Sequence, residues 1–336
     1  MTSNEQPGQD AKPPIEPEFL PIIEILNGAS GLAEKGELDV ALERIGAAEA
    51  ALMTVAEPLR ESPRGIALAA ALCEGRGQVG LRKQDFATAY TFLGQAETLR
   101  QREEALGGRP NPLARAVSNL NLSSAAQRMG HLPEALEHNT RCQLLLTQTR
   151  EPSAALFMAA SLEARGTIFA QLQRFEDALE AFIAAQAAAT PLLEAGLAAA
   201  RPLLAEVYIN TARVQHQLKQ SVEALETAGK AADVAWQQLE ANQFKDQQAG
   251  SLYISAEMNQ VAYAEAVGSF ARAEDAIFRV LKLIGPDPRV VEHGVGFYTR
   301  LLAKTDAELD VGDLPRDEVE ESLGRLQAMV KPQATA

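Results

Sequence analysis

Six times along the chain a polar residue is followed by a bulky apolar one, two variable positions, an alanine and a large residue. Asp85-Phe86-Ala87-Thr88-Ala89-Tyr90, His131-Leu132-Pro133-Glu134-Ala135-Leu136 and Arg174-Phe175-Glu176-Asp177-Ala178-Leu179 are the clear copies. Glu37–Leu42, Gln220–Leu225 and Ser269–Glu274 are looser ones. The alanines Ala41, Ala89, Ala135, Ala178, Ala224 and Ala273 follow one another at 48, 46, 43, 46 and 49 residues. A period in that range marks stacked helical repeats, in which each unit buries its apolar face against its neighbours. Within one period, Val117, Leu120, Ala125 and Met129 form an apolar stripe near helical spacing. Asn111-Pro112 supplies an N-cap and a first-turn proline for that helix, and Gly130 suits its end. Pro133 then fits the first turn of a second helix whose Ala135, Leu136 and Cys142 face inward. The next unit repeats the scheme with Leu162, Gly166 and Phe169, then Phe175, Ala178, Phe182 and Ala185. Ala181–Leu204, rich in alanine and holding Pro191 and Pro202, predicts helix interrupted by a kink or short turn.

Composition supports helix and removes several functions. Alanine, leucine and glutamate dominate, and no run of alternating β-branched residues argues for a sheet. A net charge of −14 opposes non-specific nucleic-acid binding, which needs clustered Lys and Arg. Eight acids against three bases follow from Asp306 onward, which reads as a solubilising tail. Two cysteines, Cys73 and Cys142, make no disulfide framework and suit a reducing, cytoplasmic setting. Met1–Pro17, polar with four prolines, reads as a flexible lead-in without a secretory h-region, and no apolar run approaches a membrane span.

The small-residue pattern Gly166, Phe169, Ala178, Phe182 and Ala185 resembles the tetratricopeptide repeat. The period exceeds that family's usual ~34 residues, as in the long-helix variant found in kinesin light chains. Leu106-Gly107-Gly108-Arg109-Pro110-Asn111-Pro112 is similar to the linker of that variant, Ile284-Gly285-Pro286-Asp287-Pro288 is a looser copy, and Asn121-Leu122-Ser123 lies close to its Asn-Leu-Ala. The resemblance implies an all-α, right-handed superhelical solenoid of about six tetratricopeptide-like helix pairs plus a C-terminal capping helix pair, Val290–Lys304 and Pro315–Met329. The corresponding division is 1–17 for the tail, 18–306 for the solenoid and 307–336 for a capping helix and acidic tail. No coiled-coil heptads precede the repeats, so a kinesin subunit is not implied.

In that family the first helix of each pair lines the concave face. With each repeat alanine numbered twenty, position six holds Asn27, Asn121, Asn210 and Asn259; Gly75 and Ala164 break the pattern. Asparagine is poorly suited to a helix interior, and its amide offers a donor and an acceptor together. The resemblance implies that these amides clasp the backbone of a bound peptide; they could instead cap neighbouring helices or face water. At Asn27 the following Gly28 offers a place for the helix to end. Further along the same helices stand Arg82, Arg128 and Arg213, with Ser124, Thr167 and His216 on or near that face. The arginines are suited to a ligand carboxylate, or to an intramolecular acid, and Glu74 and Glu163 nearby oppose an acidic ligand.

Other strings carry less chemistry. Gly75-Arg76-Gly77-Gln78-Val79-Gly80 matches a dinucleotide-binding pattern, but it follows an alanine-rich helical run rather than a strand, and Gly77 falls where helices cross. His131, His138, His216 and His293 make no metal-ligand spacing, and no nucleophile–base grouping has motif support. The sequence therefore predicts a non-catalytic scaffold or adaptor without a cofactor or metal, binding a protein or peptide segment. The alternatives are a peptide-sensing regulator that sequesters a partner and a cytoskeletal adaptor.

Overall fold

The computed structural model describes residues 15–109 and 111–330 of the chain. Among them every regular element is helical, and the chain divides into two compact units, residues 1–151 and 152–336. The first unit holds the pairs α1 (Leu20–Glu34) with α2 (Leu38–Thr54), α4 (Pro63–Arg82) with α5 (Phe86–Ala105), and α6 (Pro112–Arg128) with α7 (Leu132–Leu146). A one-turn helix, α3 (Glu57–Arg60), which the sequence pattern did not signal, connects the first two pairs. The second unit holds α8 (Ala154–Gln171) with α9 (Phe175–Glu194), α10 (Ala200–Gln217) with α11 (Ser221–Ala241), and α12 (Gln247–Val267) with α13 (Phe270–Ile284). The expected cap follows as α14 (Pro288–Leu301) and α16 (Arg316–Val330), with an additional short α15 (Asp306–Val311) between them. A reciprocal Thr305–Glu308 capping box starts α15.

The six-residue phrase opens the second helix of each pair, directly after the turn. The position five before the repeat alanine has left-handed backbone in all six: Gly36 (φ 84°), Gln84 (60°), Gly130 (81°), Gln173 (59°), Lys219 (66°) and Gly268 (76°). Such a residue stops the first helix and turns the chain into the second, and glycine adopts it without the Cβ clash that the other three bear. The repeat alanines themselves have no exposed surface at all. There the helices of a pair approach too closely for a larger side chain. The same closeness explains Gly77, where a Cβ would stand 2.5 Å from Leu93 Cγ. The glycine string is thus interior helix in α4, as its register indicated.

Local boundaries follow the side chains at them. Asn111 Oδ1 accepts the Ala114 N–H at 3.0 Å and Pro112 opens α6. Pro191 sits in the last turns of α9, and the expected interruption is the turn between Glu194 and Ala200. Gly28 does not end its helix, because α1 runs on to Glu34. The N-terminal lead-in lies mainly outside the described residues. From Glu16 it is fixed, since Glu16 pairs with Arg64 at 2.6 Å and Pro17–Phe19 forms a 3-10 turn with Phe19 buried. Residues 331–336 of the acidic tail also lie outside the described residues. No helix among the described residues is long and apolar enough to cross a membrane.

Candidate functional site

Within each unit the first helices of successive pairs touch one another, α1 with α4 and α4 with α6, and α8 with α10 and α10 with α12. This contact gives each unit a face built from first helices, and the expected site residues all belong to first helices. In the first unit, Arg82 donates from Nη1 to the Ala33 carbonyl of α1 at 2.6 Å, satisfying a carbonyl at that helix's C-terminus. The Arg128 guanidinium lies over the Phe86 ring at 6.0 Å. Asn27 is exposed. Asn121 and Ser124 are half-buried on α6 and make no side-chain hydrogen bond among the described residues.

The second unit brings Thr167, Asn210 and Arg213 together around one carboxyl. Glu163 Oε1 accepts the Thr167 hydroxyl at 2.9 Å and the Asn210 Nδ2–H at 2.7 Å, the latter from the neighbouring first helix. Thr167 lies one turn along α8 from Glu163, the spacing that puts two side chains on one face. Burial pushes the Glu163 carboxyl up to about 7, and the negative charge of Glu206 pushes the same way. The Thr167 and Asn210 hydrogen bonds and the positive charge of Arg213 oppose them without prevailing. Sequence reasoning placed Glu163 near this face only as a repulsive charge and did not single out Glu206. Two signals were available: Glu163 precedes Thr167 by four residues, and it stands at register five beside the asparagine register.

This contact changes what Asn210 offers. Asn210 turns its NH2 group toward Glu163 Oε1, an oxygen that accepts whether or not the other carboxyl oxygen carries a proton. One N–H is spent, while Oδ1 and a second N–H remain. Asn259, on α12, is half-buried and makes no side-chain hydrogen bond among the described residues. Nearby, His216 packs its ring on Tyr263 with centroids 4.8 Å apart, and Nδ1 lies 3.2 Å from Ser221 Oγ. His216 is therefore held in place by its neighbours. No group of three or more metal-ligating side chains gathers among the described residues.

Residues 205–331 match the model of a family of unknown function (DUF6483). No curated protein matches the chain. Among solved structures, the chain is similar to a signal-transduction ATPase with numerous domains from Pyrococcus horikoshii, which carries a tetratricopeptide repeat sensor. The identity is 12%, the TM-score 0.66, and the match covers 91% of this chain and 41% of that one. The apo form of RapI aligns at 11% identity and TM-score 0.57, over 91% of this chain and 86% of that one. NprR in complex with its cognate peptide NprX aligns at 13% identity and TM-score 0.53, over 94% and 86% respectively. The likeness is one of fold: among the described residues each unit is an all-α stack of helix pairs of the tetratricopeptide type.

Proposed function

We propose that this chain is a non-catalytic interaction module of a reducing, cytoplasmic compartment that holds an extended peptide or protein segment along the first helices of its second unit. One observation carries the reading: Asn210 is fixed by Glu163 with an acceptor and one donor to spare, and Asn259 stands on the next first helix with its whole amide unspent. Two amides on adjacent helices are suited to pair with the backbone of a strand-like ligand whatever its side chains. NprR, a similar fold, has been solved holding its cognate peptide. In the first unit, Asn121 is the corresponding open amide, with Ser124 on the same helix. Arg82 and Arg128 serve a ligand there only by leaving the Ala33 carbonyl or the Phe86 ring.

The test begins with partners captured by cross-linking in the native cell. Asn210→Ala with Asn259→Ala should weaken capture of the principal partner at least tenfold while leaving the helical circular dichroism at the assay temperature unchanged, although the melting falls by the loss of the Asn210–Glu163 bond. Undiminished capture by the folded double variant overturns the reading.

A further inference from the structure

A cleft of about 800 Å³ opens between α11 and α13 of the second unit, floored by α12. Its walls are the second helices α11 and α13, and its floor is Tyr253, Glu257 and Gln260 of the first helix α12; neither Asn210 nor Asn259 lines it. Its origin is visible in the repeat register. Eight residues after the repeat alanine stand Glu49, Glu97, Gln143 and Gln186 in the first four pairs, Ala232 in α11 and Leu281 in α13. In the first unit this long side chain fills the space between pairs: Glu49 accepts Arg76 at 2.6 and 2.5 Å, and Glu97 accepts Arg115 at 2.5 Å. Ala232 cuts it back to a methyl, and Gly229 nearly one turn earlier removes a further Cβ from the same wall.

The floor is built and charged. Glu257, 2% exposed, accepts Arg279 Nε and Nη2 at 2.9 Å each, and Gln260 Nε2 at 3.0 Å. The buried carboxylate is thereby satisfied, and it pins the guanidinium through Nε and Nη2 at the edge of the cleft. On the α11 side, wall and floor are aromatic, with the Trp236 and Tyr253 rings 5.1 Å apart. The opposite wall is one side of α13, where Arg272, Arg279 and Lys282 all reach the cleft. Arg272 is half-buried and holds only a long 3.4 Å contact to the Leu225 carbonyl; Lys282 makes no ion pair among the described residues. The acids Asp233 and Asp275 also line the cleft; they are exposed, as are Arg279 and Lys282, so water screens all four, and Arg272 is the half-buried charge among them. The half-buried Arg272 and the Glu257-held Arg279 thus place guanidinium donors in the same cleft as the Trp236 and Tyr253 rings.

We infer that this cleft is a binding site for a small planar anion, an aromatic carboxylate in chemical class, whose ring lies against the half-buried Trp236 and whose charge meets Arg272, Arg279 and Lys282. The ring would gain apolar burial against the aromatic wall, and the carboxylate would take the guanidinium and ammonium donors of α13.

Trp236 is the only tryptophan in the chain, so its indole N–H gives a single resonance that reports on the cleft. The full chain would be titrated with 2-naphthoate and, separately, with uncharged 2-naphthamide. The expected result is saturable movement of the indole resonance by naphthoate, at concentrations at least tenfold below those needed for the amide. Lys282→Ala with Arg272→Met should remove that preference and leave amide binding unchanged. Ala232→Gln, which places there the glutamine that α7 and α9 hold at this register, should abolish both responses. Equal affinity for acid and amide, a preference that survives the double variant, or an unmoved indole resonance each overturns the assignment. If Ala232→Gln lowers the melting temperature, the charge variants decide the matter alone.

Discussion

Replacing Glu163 by glutamine keeps the shape of the side chain and removes its charge. In an unfolded chain this carboxyl titrates near 4.5, and in the folded protein near 7. The folded state therefore holds a proton over a range in which the unfolded chain has released it. As pH rises through 4.5 the unfolded chain ionises first, and stability falls until the folded carboxyl ionises at about 7; above that it levels off. The separation corresponds to about 3 kcal/mol, given that one pKa unit is about 1.4 kcal/mol. The substituted amide does not titrate, and its oxygen still accepts from Thr167 and Asn210, as the neutral carboxyl does below pH ~7. The wild type should thus lose about 3 kcal/mol relative to Glu163→Gln between pH ~4.5 and ~8. Urea unfolding followed by circular dichroism at several pH values measures the difference, and carbon NMR of the labelled glutamate locates the titration. A difference between the two proteins that stays constant across that range would refute the argument that burial and Glu206 outweigh Arg213 and the two hydrogen bonds.

Further outcomes follow from packing and backbone geometry. Gly166→Ala would put a Cβ 2.6 Å from Phe182 Cε1, so overpacking of about 1–3 kcal/mol should outweigh the ~1 kcal/mol gained in helix propensity. Gly250→Ala, whose Cβ would meet only Leu239 Cδ2 at 3.9 Å, should instead stabilise by about 0.5–1 kcal/mol, and paired denaturant melts distinguish the signs. At the left-handed turn positions, Gln173→Gly should gain a few tenths to about 1 kcal/mol and Gly268→Ala should lose about 1 kcal/mol, read from thermal melts. Arg279→Met strands the Glu257 carboxylate at 2% exposure and should cost about 3–5 kcal/mol, most of it recovered in Glu257→Gln with Arg279→Met, as a double-mutant cycle in urea would record.

Much of the architecture was legible because it depends on neighbours in sequence. The repeat alanine and the left-handed residue five before it belong to one hairpin, so a single local phrase identifies both the turn and the crossing. Asn111-Pro112 marks a helix start for reasons contained in those two residues. The helices α3 and α15 escaped because one or two turns of helix show too little periodicity to separate from a loop. The site was legible only as a register. Asn27, Asn121, Asn210 and Asn259 share position six, yet Asn27 is exposed, Asn121 and Asn259 keep their amides open, and Asn210 donates to a carboxyl 47 residues away.

The chain's own order of residues thus determined the helix pairs, the small side chains where they cross, and the reading of the glycine string as packing rather than a phosphate loop. Tertiary structure alone decided which polar groups are spent: Arg82 on the Ala33 carbonyl, Thr167 and Asn210 on Glu163, Arg279 on Glu257. It also decided that shortening one register position to Ala232 leaves a cleft. The reason is physical. Helix and turn formation depend on residues within a few positions of each other, whereas the ionisation and hydrogen bonding of a side chain depend on groups brought beside it by the packing of different repeats.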